Sequence, residues 1–337
     1  MKNVTKIVIL TMYAVLSLSS CRKVHITPEE TKTPLGFTAV SQTGMVNPKT
    51  KSLTDYEGLG FGVWGIARTQ ASENPYILWN NAGFMYAKKD NRNYVPNEAA
   101  YWLGGYTYRF IACAPYNNGT DLGLSNFAVS TASETSKDAV SFSYDMSIKA
   151  KDYDLLGAAA KEYVEVGAYQ QAQQLIFWHL LSKININISF TGATDAEGKP
   201  TEVVNVSEMV LRNVKTKATY KLSFDENDEL SVDVSDYVED GDIQFKGSHG
   251  EVNIIPQDVS DIIMELDFTV GEGANAIPTT NYQIDMGAVH TQAGVSPEYI
   301  YNGVYNWTIT INPKTISFDV KVTDWQTATG LPDFEIK

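Results

Sequence analysis

Cysteine is nearly absent from this chain: its 337 residues include two, Cys21 and Cys113. So few thiols exclude a disulfide framework, and neither thiol stands at zinc-ligand spacing from a histidine. Histidine is almost as scarce, at His25, His179, His249 and His290. His-Glu-x-x-His, Gly-x-Ser-x-Gly and a phosphate-cradling glycine loop do not occur, so the usual sequence footing for a metallopeptidase, a serine hydrolase or a nucleotide-dependent enzyme is missing. Positive charge is also short. Lysine and arginine total 26 against 40 acids, a formal charge of −14, and nucleic acid needs a basic surface to neutralise phosphates. The densest basic cluster, Lys88, Lys89 and Arg92 between Tyr86 and Tyr94, reads as a solvated loop. Long apolar runs are lacking too. The longest, residues 7–18, falls short of the ~20 residues that a membrane-spanning helix requires.

That short run is instead informative about address. Lys2 and Lys6 precede it, and Leu18-Ser19-Ser20-Cys21 follows, which has the form of a bacterial lipoprotein signal. Small serines let a signal peptidase approach the backbone, so residues 1–20 are expected to be removed and Cys21 to carry lipid. The competing reading is an ordinary secretory signal with an incidental cysteine. Several acyl chains anchor stably because each buried methylene contributes ~0.8 kcal/mol, which would make the outer membrane a partner through Cys21. Residues 21–34, polar around Pro28, Glu29 and Glu30, then read as a tether. Cys113, left without a partner inside Phe110-Ile111-Ala112-Cys113-Ala114, is expected to be a buried, inert thiol.

With 43% hydrophobic residues the remainder can bury substantial cores, and its periodicity is that of strands. Ile184, Ile186, Ile188 and Phe190 alternate with Asn185, Asn187 and Ser189. Trp307, Ile309 and Ile311 alternate with polar residues, the turn-forming Asn312-Pro313-Lys314-Thr315 follows, and Ile316, Phe318, Val320 and Val322 alternate again. This predicts an antiparallel hairpin with one face in the core. Further strands are expected at 35–40, 60–67, 107–114, 203–213, 218–224, 250–255 and 262–270. Many short strands indicate an all-β protein of sandwich type. Residues 154–174 stand apart: Leu155, Leu156, three alanines and several glutamines favour helix on intrinsic propensity, or else a junction between domains. The expected division is an N-terminal β-sandwich at 35–171 and a C-terminal one at 172–337. Residues 41–58, with Pro48, Lys49 and Lys51, read as a loop open to proteolysis.

The order of several short pieces carries more than any one of them. Cys21; Phe61-Gly62-Val63-Trp64; Tyr101-Trp102 followed by Tyr106-Thr107-Tyr108-Arg109-Phe110-Ile111-Ala112 and Ala114-Pro115; Asp154-Leu155-Leu156; Phe177-Trp178-His179-Leu180-Leu181-Ser182-Lys183-Ile184; Val210-Leu211-Arg212-Asn213-Val214; and Val322-Thr323-Asp324-Trp325 together make the chain resemble the fimbrillin family of Bacteroides-type bacteria, subunits of type V pili and their relatives. The resemblance spans nearly the whole chain. It implies two transthyretin-like β-sandwich domains in tandem, a structural and adhesive role at the cell surface, no cofactor and no turnover. It further implies that a trypsin-like protease removes the first strand and that a strand from another pilus subunit fills the groove so opened. On this chain the matching cut falls between Lys51 and Ser52, with lysine where the family commonly has arginine. The tail 326–337, holding Leu331, Phe334 and Ile336, is the available donor segment.

Two other readings remain at this stage. A surface glycan binder would use the same fold and anchor, with Tyr76, Trp79, Tyr94 and Tyr116 as a stacking platform among the nineteen tyrosines and six tryptophans. An enzyme would need a site that the four histidines do not suggest. His179, between Trp178 and Leu180, reads as structural, and the acidic runs 225–229 and 239–242 read as solvated turns rather than calcium loops.

Overall fold

A computed structural model describes residues 33–41, 61–69, 72–81, 84–86, 93–94, 100–116, 122–132, 137–148, 154–168, 171–190, 204–271, 273–312 and 315–324. Among these described residues twenty strands run in chain order: β1 (Phe37–Ser41), β2 (Phe61–Thr69), β3 (Ser72–Ile77), β4 (Phe84–Tyr86), β5 (Asn93–Tyr94), β6 (Tyr106–Ala114), β7 (Leu124–Ser130), β8 (Ala139–Asp145), β9 (Leu156–Val164), β10 (Gln173–His179), β11 (Ser182–Phe190), β12 (Val204–Phe224), β13 (Leu230–Lys246), β14 (His249–Ile254), β15 (Gln257–Asp258), β16 (Ile263–Val270), β17 (Ile277–Asp285), β18 (Glu298–Tyr299), β19 (Gly303–Asn312) and β20 (Thr315–Asp324). Among the described residues one α-helix, α1 (Met286–Ala293), follows β17. The molecule is thus mostly β-strand in several sheets.

The first sheet has the order β3-β2-β6-β9-β10-β1-β5, with β4 also on β2. Its central strands are buried on both faces, which is why β2 and β6 read as near-continuous apolar runs rather than alternating ones. Phe61, Val63, Tyr108, Phe110 and Ala112 enter one core, while Trp64, Ile111 and Cys113 enter another on the opposite face. Gly62 is required there because a Cβ would come within 2.7 Å of the Tyr116 ring. The second core is closed by β8 and the distal half of β12, through Val140, Phe142, Tyr220, Leu222 and Phe224. Cys113 lies wholly inside it, and burial pushes its thiol pKa up, so it stays protonated and inert as its apolar neighbours predict.

A 21-residue strand carries the architecture onward. β12 pairs with β8 over Lys217–Ser223 and with β16 over Val204–Arg212, and β13 runs antiparallel beside it. The segments 203–213 and 218–224, expected as separate strands, are therefore one. Asn213 explains the misleading break: it takes φ 62°, the register slips between Leu211 and Val214, and its side-chain amide donates to the Asp261 carbonyl at 2.9 Å. A bulge bends a strand without ending it. The third core lies between β12, β16 and β17 on one side and β11 and β19 on the other, filled by Ile184, Ile186, Ile188, Met209, Leu211, Leu266, Trp307 and Ile309. The phase of alternation expected for β11 holds: Ile186 is fully buried and Asn187 exposed. β19 and β20 form the expected hairpin, with Ile309 opposite Phe318.

The expectation of helix within 154–174 is overturned. β9 forms there and pairs residue by residue with β6, from Ala114↔Leu156 to Tyr106↔Val164. The alanines serve packing rather than helix propensity: Ala158 is fully buried between sheet neighbours, and a Cβ on Gly157 would sit 2.9 Å from the Leu180 side chain. Nine residues of ladder outweigh propensity differences of a few tenths of a kcal/mol per residue. Residue 172 falls between β9 and β10, which pair at Trp178↔Gly157, and β8 pairs across it with β12.

Candidate functional site: the first strand and the sheet edge beneath it

The segment 33–41 begins with Thr33 and Pro34. The Trp102 amide donates to the Thr33 carbonyl at 3.0 Å, Pro34 bridges Tyr101, and the Leu35 amide donates to the Ala100 carbonyl at 2.8 Å. The chain then turns onto the sheet. β1 runs parallel to β10, from Phe37↔Gln173 to Ser41↔Phe177, and antiparallel to the two-residue β5 on its other side. The Gln173 amide donates to the Gly36 carbonyl at 2.8 Å. β1 is therefore the next-to-last strand of its sheet, joined on its outer side by the shortest of partners.

Its side chains hold it more firmly than its length suggests. Leu35 and Phe37 have no accessible surface. The Phe37 ring meets Phe110 edge-on at 5.1 Å, and Phe110 meets Trp102 at 5.8 Å and Tyr108 in a stack at 5.8 Å. Leu175 and Phe177 of β10 belong to the same cluster. Burying such side chains contributes about 1.5–3 kcal/mol each. Lifting this segment away would uncover an apolar trough walled by Phe110, Trp102, Leu175 and Phe177 and strip β10 of its parallel partner.

The sheet that bears the trough is tied to the layer behind it by charge. The buried Asp138 carboxylate is gripped by both terminal nitrogens of Arg68, accepts from the Ala132 amide at 2.7 Å, and lies 3.3 Å from Arg109. Burial alone would raise its pKa, but the Arg68 bond, the Ala132 amide and the two guanidinium charges hold it below the usual carboxylate range. Arg109 reaches Asp228 at 2.9 Å, where Lys161 joins at 2.6 Å, and its guanidinium lies 5.1 Å from the Phe224 ring centre. β2 and β6 are thereby fastened to the start of β8, and β6 and β9 to the β12–β13 turn.

Of the residues singled out from sequence, Cys21, Lys51, Ser52, the tail 326–337, and Lys88, Lys89 and Arg92 lie outside the described residues. The proposed aromatic platform does not assemble. Trp79 and Tyr116 are core residues, 7% and 5% exposed, and Tyr76 alone of the described set faces solvent. The Tyr94 side chain lies outside the description. His179 is structural, its Nδ1 paired with the buried Asp154 carboxylate 25 residues earlier. Asp225 closes its own turn, accepting from the Asn227 and Glu229 amides at 2.8 Å. Sequence reasoning missed β10 as the strand that receives β1. The alternation of buried Leu175, Phe177 and His179 with Gln174, Ile176 and Trp178 was the available signal.

The sequence profile of the Fimbrillin-like family matches residues 34–325, from the start of this first segment to the residue after β20. The chain belongs to that family. The family is structural and adhesive rather than enzymatic. This fimbrillin-like chain shares its fold with a fimbrial protein from Bacteroides vulgatus, at a TM-score of 0.59 and 14% identity over 86% of this chain and 99% of that one. It also aligns with a fimbrial assembly protein from Parabacteroides distasonis, at a TM-score of 0.40 and 10% identity over 87% and 98%. Among curated proteins none matches it.

Proposed function

We propose that this fimbrillin-like chain is a subunit of a cell-surface fimbrium with an adhesive role, and that β1 is a removable cover over its assembly groove. In this reading Cys21 is lipidated and brings the chain to the outer membrane, a protease cuts between Lys51 and Ser52, and the segment carrying Leu35 and Phe37 departs. A strand from another subunit then takes its place. The chain is read as two transthyretin-like sandwiches, 35–171 and 172–337, with β10, just past that division, lying in the sheet of the first.

One observation carries the proposal: the short segment made of β1 and the residues just before it contributes two fully buried large side chains spaced two residues apart, Leu35 ahead of the strand and Phe37 at its start. An incoming strand needs only main-chain hydrogen bonds to β10 and two apolar side chains at that spacing. Phe334 and Ile336 in the tail have it. Keeping β1 in place until export also stops the same edge from pairing too early. The Fimbrillin-like family match supports the fimbrial role.

Limited trypsin digestion tests the reading. The first cut is expected after Lys51, and cleaved protein is expected to form oligomers that grow with concentration while a Lys49→Gln/Lys51→Gln variant stays monomeric. A first cut elsewhere, or identical size distributions for cleaved and uncleaved protein, contradicts it.

A further inference from the structure

An open cleft of about 730 Å³ lies where the end of β10, β13, β15 and the turn after β18 meet. Four aromatic residues line it: Trp178 from the outer face of β10, Tyr237 from β13, Tyr301, and Tyr299 of β18, whose side chain is buried. Tyr237 is 40% exposed yet fixed, because its hydroxyl donates to the Pro256 carbonyl at 2.8 Å. The pairing of β15 with β18 sets Asp258 opposite Glu298, and Asp233 enters from β13. No lysine or arginine is among the described lining residues. Burial is the main reason the Tyr237 phenol titrates above its ordinary range, and the charges of Asp233 and Glu298 add to it. The cleft therefore carries a negative potential.

We propose that this cleft binds a neutral pyranose glycan. Its size matches the ~300–1,000 Å³ of small-molecule sites, which favour junctions between packed units. The C–H face of a pyranose stacks on rings that are apolar in body and fixed by a polar tip, as Tyr237 is. Sugar hydroxyls are donors, and Asp233 and Glu298 offer them carboxylate acceptors. The same carboxylates repel sialylated and sulfated glycans, since like charges brought together in a partly desolvated cleft cost free energy. This replaces the platform expected from sequence: the rings that line one open cleft are Trp178, Tyr237 and Tyr301, whereas Trp79 and Tyr116 are in the core. The proposal gives the adhesive part of the function a ligand class and rests on that reading for its biological role. Binding in solution does not require strand replacement, so failure of one leaves the other standing.

The test is a glycan microarray of neutral, sialylated and sulfated glycans, probed with the whole chain and with variants whose melting curves are first compared with the parent. Binding confined to neutral glycans is expected. Trp178→Ala should weaken it about tenfold or more, equivalent to roughly 1.4 kcal/mol. The near-isosteric Asp233→Asn/Glu298→Gln variant, which keeps the cleft's shape should Trp178→Ala fold poorly, should also weaken it and admit sialylated glycans. Tyr76→Ala, at an exposed ring elsewhere, should change nothing. Absence of neutral-glycan binding, equal binding of sialylated glycans by the parent, unchanged binding by both cleft variants, or displacement of the bound glycan by an acetyl-Gly-Arg-Gly-amide peptide that binds more tightly would each overturn the proposal.

Discussion

His290 has no accessible surface and lies against three rings, with centroids 5.1 Å from Tyr299, 5.9 Å from Tyr305 and 4.7 Å from Trp307. Its Nδ1–H donates to the Ser296 carbonyl at 2.6 Å, which selects one neutral tautomer. Burial lowers its pKa, and the Ser296 carbonyl opposes that only in part. The unfolded chain takes up this proton near pH 6.5 and the folded chain resists it to lower pH, so stability present above about 6.5 is lost as pH falls below it. In urea denaturation between pH 7.5 and about 5, the parent should lose stability relative to His290→Gln, which retains a donor for Ser296. Carboxylates such as Asp138 titrate nearer pH 4 or below and do not enter that window. Parallel decline in both proteins would show that His290 takes up its proton equally readily in the folded and the unfolded chain, against the account. Nothing in the sequence around His290 marked it, since Gly287-Ala288-Val289-His290 carries no recognisable pattern. Burial of a single polar residue depends on elements distant in the chain, here β18 and β19.

Strands were legible where one face in a core gave period-two alternation or where, as in β2 and β6, burial on both faces gave a continuous apolar run, and not where acidic residues interrupted the pattern. β11 belongs to the first kind. Ile186 is fully buried between Trp307 on β19 and Gly250 on β14, whereas Asn187 faces water. Ile186→Ala should cost about 2–5 kcal/mol, because a large-to-small change in a core loses transfer energy and leaves a cavity. Asn187→Ala should stay within about 0.5 kcal/mol of the parent. Equal urea midpoints for the two variants would mean that the phase of β11 is wrong. β13 belongs to the last kind: Asp233, Asp236, Asp240 and Asp242 mask the alternation of Leu230, Val232 and Val234. Those charges have a structural use, since Lys215 pairs with Asp240 and Arg212 reaches Asp242 at 2.5 Å along the hairpin. α1 was missed although its ends are written locally. Asp285 caps its start by accepting from the Ala288 amide at 2.9 Å, and Gly294 ends it at φ 67°. Eight residues with a buried histidine are too few for a clear helical period.

At the scale of the molecule, the family resemblance was carried by order and spacing of short pieces, and the structure gives those pieces common work. Phe61, Val63, Tyr108, Phe110 and Phe177 from these pieces share one core with Leu35 and Phe37. What spacing could not reveal was the parallel pairing of β1 with β10, because a contact spanning some 135 residues leaves no local periodicity. The long β12–β13 hairpin was equally hidden, as a bulge at Asn213 resembles a loop. A cover strand that is paired and buried yet replaceable should leave only when another strand takes its place. The most direct measurement is therefore the peptide content of assembled material. Protein cleaved after Lys51 is separated by size, and monomer and oligomer fractions are analysed by mass spectrometry for the fragment containing residues 33–41. Monomers are expected to retain that fragment and oligomers to lack it while keeping every residue from Ser52 onward. Oligomers that still contain Leu35 and Phe37 in equal amount with the rest of the chain would contradict the account, because the groove would then be occupied by its own first strand.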